Sequence, residues 1–268
     1  MLLNDYMDTL ARERAFKHDL FLNEIWSDRY FDLIVKNLSL HEAETILYLN
    51  AGTGRNCFRL AESHSAAKQI VGVCDSPEHL VIARDKAKVS GSDILFITET
   101  EVGNKYDLVI ADATLSDPES VTDLLSSAAG LLNRGGQFAL IVPIFGSYAE
   151  VFSLLWEVLA SAEGGSPEAV ERLITAFPRL DALENAARET GLHEVKSEVS
   201  TEIFEFEKPE DFTDSPLFAD FLLPGWLADP DKTALETIRK KIAELIEQEH
   251  GNLAFRFQVK AAVITGKS

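Results

Sequence analysis

The sequence predicts an α/β protein on a mostly parallel, seven-stranded sheet, and three observations lead there. Residues 45–49, 69–74, 94–97, 106–111 and 137–142 are short, continuously apolar runs separated by helical patterns, as in parallel strands covered on both faces. Residues 194–207 and 253–265 instead alternate apolar with polar side chains, the pattern of an antiparallel pair finishing the sheet. The first apolar run passes through a tight loop, Asn50-Ala51-Gly52-Thr53-Gly54, into a helical pattern. Two glycines there let the backbone turn sharply and let a ligand approach the main chain, although a plain strand-to-helix turn uses the same residues.

Residues 1–40 are expected to be helical throughout, because Leu20, Phe21, Ile25, Tyr30, Phe31, Ile34 and Leu38 recur at helical spacing. Aromatic residues are frequent here (Tyr6, Phe16, Phe21, Trp26, Tyr30, Phe31) and suit either helices packed on the sheet or a lid over a ligand. After the glycine loop a helix runs through Phe58, Leu60 and Ala61, and the second strand ends on Asp75. Ser76 is the expected N-cap of the next helix and Pro77 its first residue. Thr98-Glu99 follow the third strand and Asp112 ends the fourth. Residues 120–132 are expected as a helix stopped by Asn133-Arg134-Gly135-Gly136. Asp75, Glu99 and Asp112 therefore all fall just past the C-terminal ends of strands, the edge at which open α/β sheets bind ligands.

In the second half, residues 148–162, 167–177 and 180–190 are expected as helices, the last stopped by Gly191. The closing strand pair is interrupted by residues 208–252, a longer insertion than a hairpin needs. It holds Phe212, Phe218, Phe221 and Trp226, followed by an amphipathic helix over 232–249. With Trp26, these aromatics are candidates for pocket walls or for the core.

With 46% hydrophobic and 26% charged residues in 268, the chain can bury a sizeable core. Its 25 Lys+Arg against 44 Asp+Glu give a net charge of −19, which argues against nucleic-acid partners and against an anionic membrane surface. Cys57 and Cys74 are expected as small buried hydrophobes, and no spacing of Cys and His implies a metal. Neither a secretory leader nor a membrane-spanning run is recognisable, so a cytoplasmic protein is expected. The six histidines are scattered. His79, one turn after Asp75, falls either beside a bound ligand or on a solvated helix face.

The order of strands and motifs resembles the class I S-adenosylmethionine-dependent methyltransferases, by motif over about residues 45–145 and by topology beyond. The resemblance implies a Rossmann-like methyltransferase fold in a single domain over 1–268. Its parts would be an N-terminal helical lid (1–44), a cofactor-binding half (45–145) and a C-terminal half (146–268) with the 208–252 cap. It implies S-adenosylmethionine as cofactor, held by Tyr48, Asn50, Ala51, Gly52, Thr53, Gly54, Asp75, Ser76, Thr98, Glu99 and Asp112. Asp75 is the expected partner of the ribose hydroxyls, since one carboxylate accepts from both. Glu99 stands where the family often has an Asp reaching the adenine amino group, and Asp112 is a candidate to orient the acceptor or take a proton.

Two positions depart from the family's first motif. Tyr48 replaces the acid that helps hold the cofactor's methionine part, and Asn50 replaces the first glycine. The leading expectation is a methyltransferase acting on a small-molecule acceptor. The alternative is a catalytically inactive, methyltransferase-like binding or assembly protein. A nicotinamide dehydrogenase is disfavoured because Cys57 stands where its third glycine is expected. Methyl transfer from a sulfonium needs alignment more than acid–base help, so the lack of a triad or metal motif decides nothing. A homodimer, with 232–249 as the partner helix, is compatible with the sequence.

Overall fold

Seven strands form one sheet in the computed structural model, which describes residues 2–64, 67–161, 166–227, 231–251 and 253–268. Side chains of residues 2–8, Tyr6 among them, and of His250 lie outside the described set, as does Ala162. Strands β1 (Thr45–Leu49), β2 (Gln69–Val73), β3 (Leu95–Ile97), β4 (Tyr106–Asp112) and β5 (Leu132–Pro143) pair in parallel. Strand β6 (His193–Phe206) and strand β7 (Phe255–Lys267) complete the sheet, with β7 antiparallel to both β5 and β6. The order is β3-β2-β1-β4-β5-β7-β6. The chain winds outward from β1 to β3, then returns to lay β4 on the other side of β1. That reversal opens a crevice above β1 and β4, where doubly wound sheets take ligands.

Alternating side chains of each strand feed two cores. Ile46, Tyr48, Leu108, Ile110 and Ile141 join a core with α2 (Asp28–Lys36), α3 (Arg55–Ser63), α4 (Pro77–Ser90) and α6 (Ala149–Ser161). Leu47, Leu49, Val109, Ala111 and Leu140 pack beneath α5 (Val121–Ala129) and α8 (Leu180–Glu189), with α7 (Glu168–Ala176) lying between α6 and α8 in sequence. Ser76 caps α4 as expected, its hydroxyl accepting from the His79 N–H, and Pro77 opens the helix. Cys57 and Cys74 are both buried.

Two local expectations are corrected. Asn133-Arg134-Gly135-Gly136 do not stop a helix; they lie inside β5. Pairing with β4 claims the chain earlier: Tyr106 donates its N–H to the Leu131 carbonyl at 2.9 Å, and Leu132 stands opposite Tyr106. Gly135, at φ 78°, lies where the register shifts between Tyr106 and Leu108. The N-terminal stretch is helical but not uniformly so. Helix α1 (Leu2–Lys17) widens into π-type turns over His18–Ser27 before α2, and a short 3-10 turn follows at Leu40–Glu42. Wide turns of this kind recur at functional sites.

The insertion between β6 and β7 forms a cap. It comprises α9 (Pro209–Thr213), a π-type turn at Leu217–Leu222, α10 (Leu223–Trp226) and α11 (Lys232–His250). Phe212 is its hub, with ring centroids 4.4 Å from Phe218 and 4.8 Å from Phe255. Such ring pairs add about 0.5–1.5 kcal/mol each beyond area burial. Lys17 ties α1 to the cap through Asp220 at 2.9 Å.

Candidate active site

The register of the two central strands builds the floor of the crevice. Tyr48 stands opposite Ile110, so Asp112, two residues further along β4, lies on the same sheet face. The Tyr48 hydroxyl donates to Asp112 Oδ2 at 3.0 Å and accepts from Asn56 Nδ2 at 2.8 Å. Asp112 Oδ1 takes the Thr114 N–H at 3.0 Å and the Thr114 hydroxyl at 2.6 Å. Burial pushes the Asp112 carboxyl above its ordinary range, and the Thr114 and Tyr48 hydrogen bonds pull it back. Asn50 adopts φ 55°, a left-handed conformation that Asn tolerates better than most residues. Its amide then donates to the Asp112 carbonyl at 2.8 Å and to Ser116 Oγ at 3.2 Å, joining the β1 loop to the end of β4.

Both loop glycines sit at positive φ, and neither has room for a side chain. A Cβ at Gly52 would lie 2.4 Å from His18 Cε1, and one at Gly54 would lie 2.6 Å from Phe96 Cζ. The loop's small residues thus seat the N-terminal segment above and β3 beside it. Thr53 is fully buried and donates to Asp19 Oδ1 at 2.6 Å. The same oxygen accepts from Lys86 at 2.7 Å and Asn23 at 2.9 Å. One carboxylate from the π-type turns therefore fastens that segment to the loop and to α4.

Asp75 follows β2 with its side chain open to water on the crevice side. Protein atoms crowd it on the others and raise its carboxyl to about 6; the Asp112 charge adds to this, and the Asp75 and Gly52 N–H groups oppose it. Ser76 Oγ lies 3.0 Å from His79 Nδ1. His79 is buried rather than solvated, and burial holds it down at about 4. The His18 ring packs edge-on against His79 at 5.1 Å and against Phe221 at 5.8 Å; burial lowers it to about 3. Both imidazoles are neutral at physiological pH.

These groups enclose a cleft of about 890 Å³. Of the residues expected in the site, Tyr48, Asn50, Ala51, Gly52, Asp75, Ser76 and Asp112 line it. Thr53 and Gly54 stand behind the wall, and Thr98 and Glu99, exposed after β3, lie outside it. Of the aromatic candidates among the described residues, Phe221 faces the cleft; Phe212, Phe218 and Trp26 are fully buried, and Trp226 packs on Phe152 at 4.8 Å. The sequence reading missed Arg14, His18, Asn23 and Asn56, which line the cleft from the N-terminal segment and α3. Asn56 carried a usable signal, since it falls in the first turn of the helix after the glycine loop.

No family model matches the chain, and no curated protein does either. Solved structures do. Phosphoethanolamine N-methyltransferase 2 of Haemonchus contortus, in complex with phosphomonomethylethanolamine and S-adenosylhomocysteine, is 15% identical with a TM-score of 0.57 over 95% of this chain and 56% of that one. The YcgJ protein of Bacillus subtilis is 13% identical, TM-score 0.56, over 90% of this chain and 98% of that one. The [4+2]-cyclase SpnF is 18% identical, TM-score 0.52, over 90% and 80%. The fold is that of the class I methyltransferases.

Proposed function

We propose that the chain is an S-adenosylmethionine-dependent methyltransferase acting on a small-molecule acceptor. The observation carrying this reading is the gathering of the glycine loop, Asp75 and Asp112 around one cleft at the strand-order reversal. The cleft's volume suits a nucleoside-sized ligand together with a small acceptor. Its charge suits a cationic one: Asp75, Glu78, Asp112, Asp117 and Asp123 line it against Arg14 and Arg55. When bound, the cofactor supplies a methyl group already activated on a sulfonium.

The chain's own residues then bind and align. Asp75 accepts from the ribose hydroxyls, while Ala51 and Gly52 let the ligand lie against the main chain, with Ser76 beside it. Tyr48, Asn50, Thr53 and Gly54 hold the loop's shape. Thr98 and Glu99 receive no contact in this assignment. Residues 1–44 act as a lid: Arg14, His18 and Asn23 close one wall, and Phe221 of the cap meets them. Exclusion of water and alignment of the acceptor by this wall supply the rate.

Titration calorimetry on the purified full chain tests the proposal. S-adenosylmethionine should bind saturably, and Asp75→Ala should weaken it at least 100-fold, since charge-assisted hydrogen bonds contribute about 1.5–3 kcal/mol each. No binding at millimolar cofactor would sink the reading. It would favour a non-catalytic binding protein, the alternative that Tyr48 and Asn50 suggest by departing from the family motif.

A further inference from the structure

Hydrogen-bond directions around Tyr48 leave acceptors with nothing to accept. Thr114 donates twice to Asp112 Oδ1, which marks the carboxylate as an acceptor. Tyr48 donates to Oδ2, and its phenol oxygen accepts from Asn56 Nδ2. With that nitrogen committed, Asn56 Oδ1 is left buried without a donor. Asn23 reaches the same condition from the N-terminal segment. Its Nδ2 donates to the Asp19 main-chain oxygen at 3.0 Å, a group that can only accept, so Asn23 Oδ1 is the atom left over, also buried without a donor. Asn23 is 6% exposed and Asn56 4%, and both line the cleft together with Tyr48 and Asp112. Buried polar atoms are almost always partnered, so these two orphaned oxygens, that of Asn56 joined to the Asp112 carboxylate through Tyr48, mark places in the cleft wall for a ligand's N–H donors.

We propose that the Asp112 end of the cleft receives the α-ammonium group of the cofactor's methionine part, with Asp112 supplying the charge and Asn56 a neutral acceptor. This inference rests on the methyl-donor reading of the cleft. An ammonium has three donors and no acceptor, which matches a carboxylate and an amide oxygen, atoms that accept. A carboxylate or phosphate placed there would be repelled. Tyr48 becomes a positioning residue: its hydroxyl orients both Asp112 and the Asn56 amide. The negative charge that the family places at the end of β1 stands here one strand away, at the end of β4, about 5 Å across the sheet.

Two ligands and three variants separate the outcomes. S-adenosylhomocysteine carries the ammonium; 5′-methylthioadenosine keeps the nucleoside and sulfur but lacks the amino-acid part. Calorimetry on the full chain should find that Asp112→Asn weakens S-adenosylhomocysteine about 10- to 100-fold, the loss of one charge-assisted contact, and leaves 5′-methylthioadenosine within about threefold. Tyr48→Phe should produce a smaller loss with the same selectivity. Asp75→Ala should weaken both ligands. Equal weakening of both by Asp112→Asn, or none of either, overturns the inference while Asp75-dependent binding keeps the cofactor reading standing. If the wild-type chain binds neither ligand, both fall. Circular dichroism of each variant, matched to wild type, confirms that a loss of binding is not a loss of fold.

Discussion

Strand β4 carries an aspartate near each end, and the two have opposite surroundings. Asp107 lies near the N-terminal end, and its oxygens are saturated: the Thr45 N–H at 2.9 Å, the Thr45 hydroxyl at 2.8 Å, the Glu44 N–H at 3.2 Å and Asn133 Nδ2 at 2.8 Å. These hydrogen bonds outweigh the cost of burial and hold its carboxyl below the ordinary range. Asp112 lies at the C-terminal end, buried beneath the cleft with its carboxyl raised, and the amide oxygen of Asn56, joined to it through the Tyr48 hydroxyl, is unsatisfied. One residue type on one strand thus does two jobs. At the lower edge it staples β1, β4 and β5 together; at the upper edge it lines the cleft.

Removing the staple should have the largest effect on the fold. Asp107→Ala strands several donors at the lower edge and should cost about 2–3 kcal/mol, read as a fall in denaturant midpoint at unchanged slope. Because the folded carboxyl is depressed, its contribution is present above the ordinary pH of about 4 and is lost as pH falls through the folded value. The difference between variant and wild type should therefore shrink in acid. An unchanged midpoint at neutral pH would break the contrast between the two ends.

A smaller loss is expected where the upper edge borrows its closure from elsewhere. Asp19 joins Thr53, Asn23 and Lys86, so Asp19→Asn should cost about 1–2 kcal/mol in a partly buried setting. The loss should be local. Amide exchange should quicken over residues 18–27 while β1 and β4 keep their protection; uniform acceleration would mean that the N-terminal segment is part of the core rather than a wall of the cleft.

The legible part of this molecule was the part encoded locally. Apolar runs, the Ser76-Pro77 helix start and the placement of Asp75 past the end of β2 each depend on a few neighbouring residues and fall at the expected strands and caps, while Asp112, expected just past β4, is its last residue. Asn23 and His18 were illegible because their roles arise only when a segment some thirty residues upstream folds over the glycine loop. Nothing in the periodicity of 1–40 announces the wider turns that aim them. The cap aromatics, open in the sequence to either wall or core, divide for a related reason. Phe212 and Phe218 find enough apolar surface in one another and in Phe255 to bury themselves, leaving Phe221 at the cleft. Asn133–Gly136 shows glycines serving a shift of register where a helix stop uses the same residues.

The smallest expected effect has the opposite sign. Asp75 has a carboxyl raised to about 6, so its charged form is disfavoured in the folded chain. That penalty is fully present above pH 6, shrinks as pH falls through the folded value, and vanishes below the unfolded value of about 4. Asp75→Asn should therefore stabilise the ligand-free protein at pH 7–8, with the gain gone near pH 4. The shift alone would correspond to about 3 kcal/mol, but the side chain is open to water on the cleft side, and screening reduces the expected gain to the order of 1 kcal/mol. The same variant should bind S-adenosylmethionine more weakly, and wild-type affinity should itself decline below about pH 6 as the carboxylate that accepts from the ribose is protonated. A stabilised protein with impaired binding is the pattern of a residue kept for its ligand at the expense of the fold. If Asp75→Asn instead lowered the melting temperature at pH 7, Asp75 would belong with Asp107 among the staples, and the upper edge would lose its distinction from the lower.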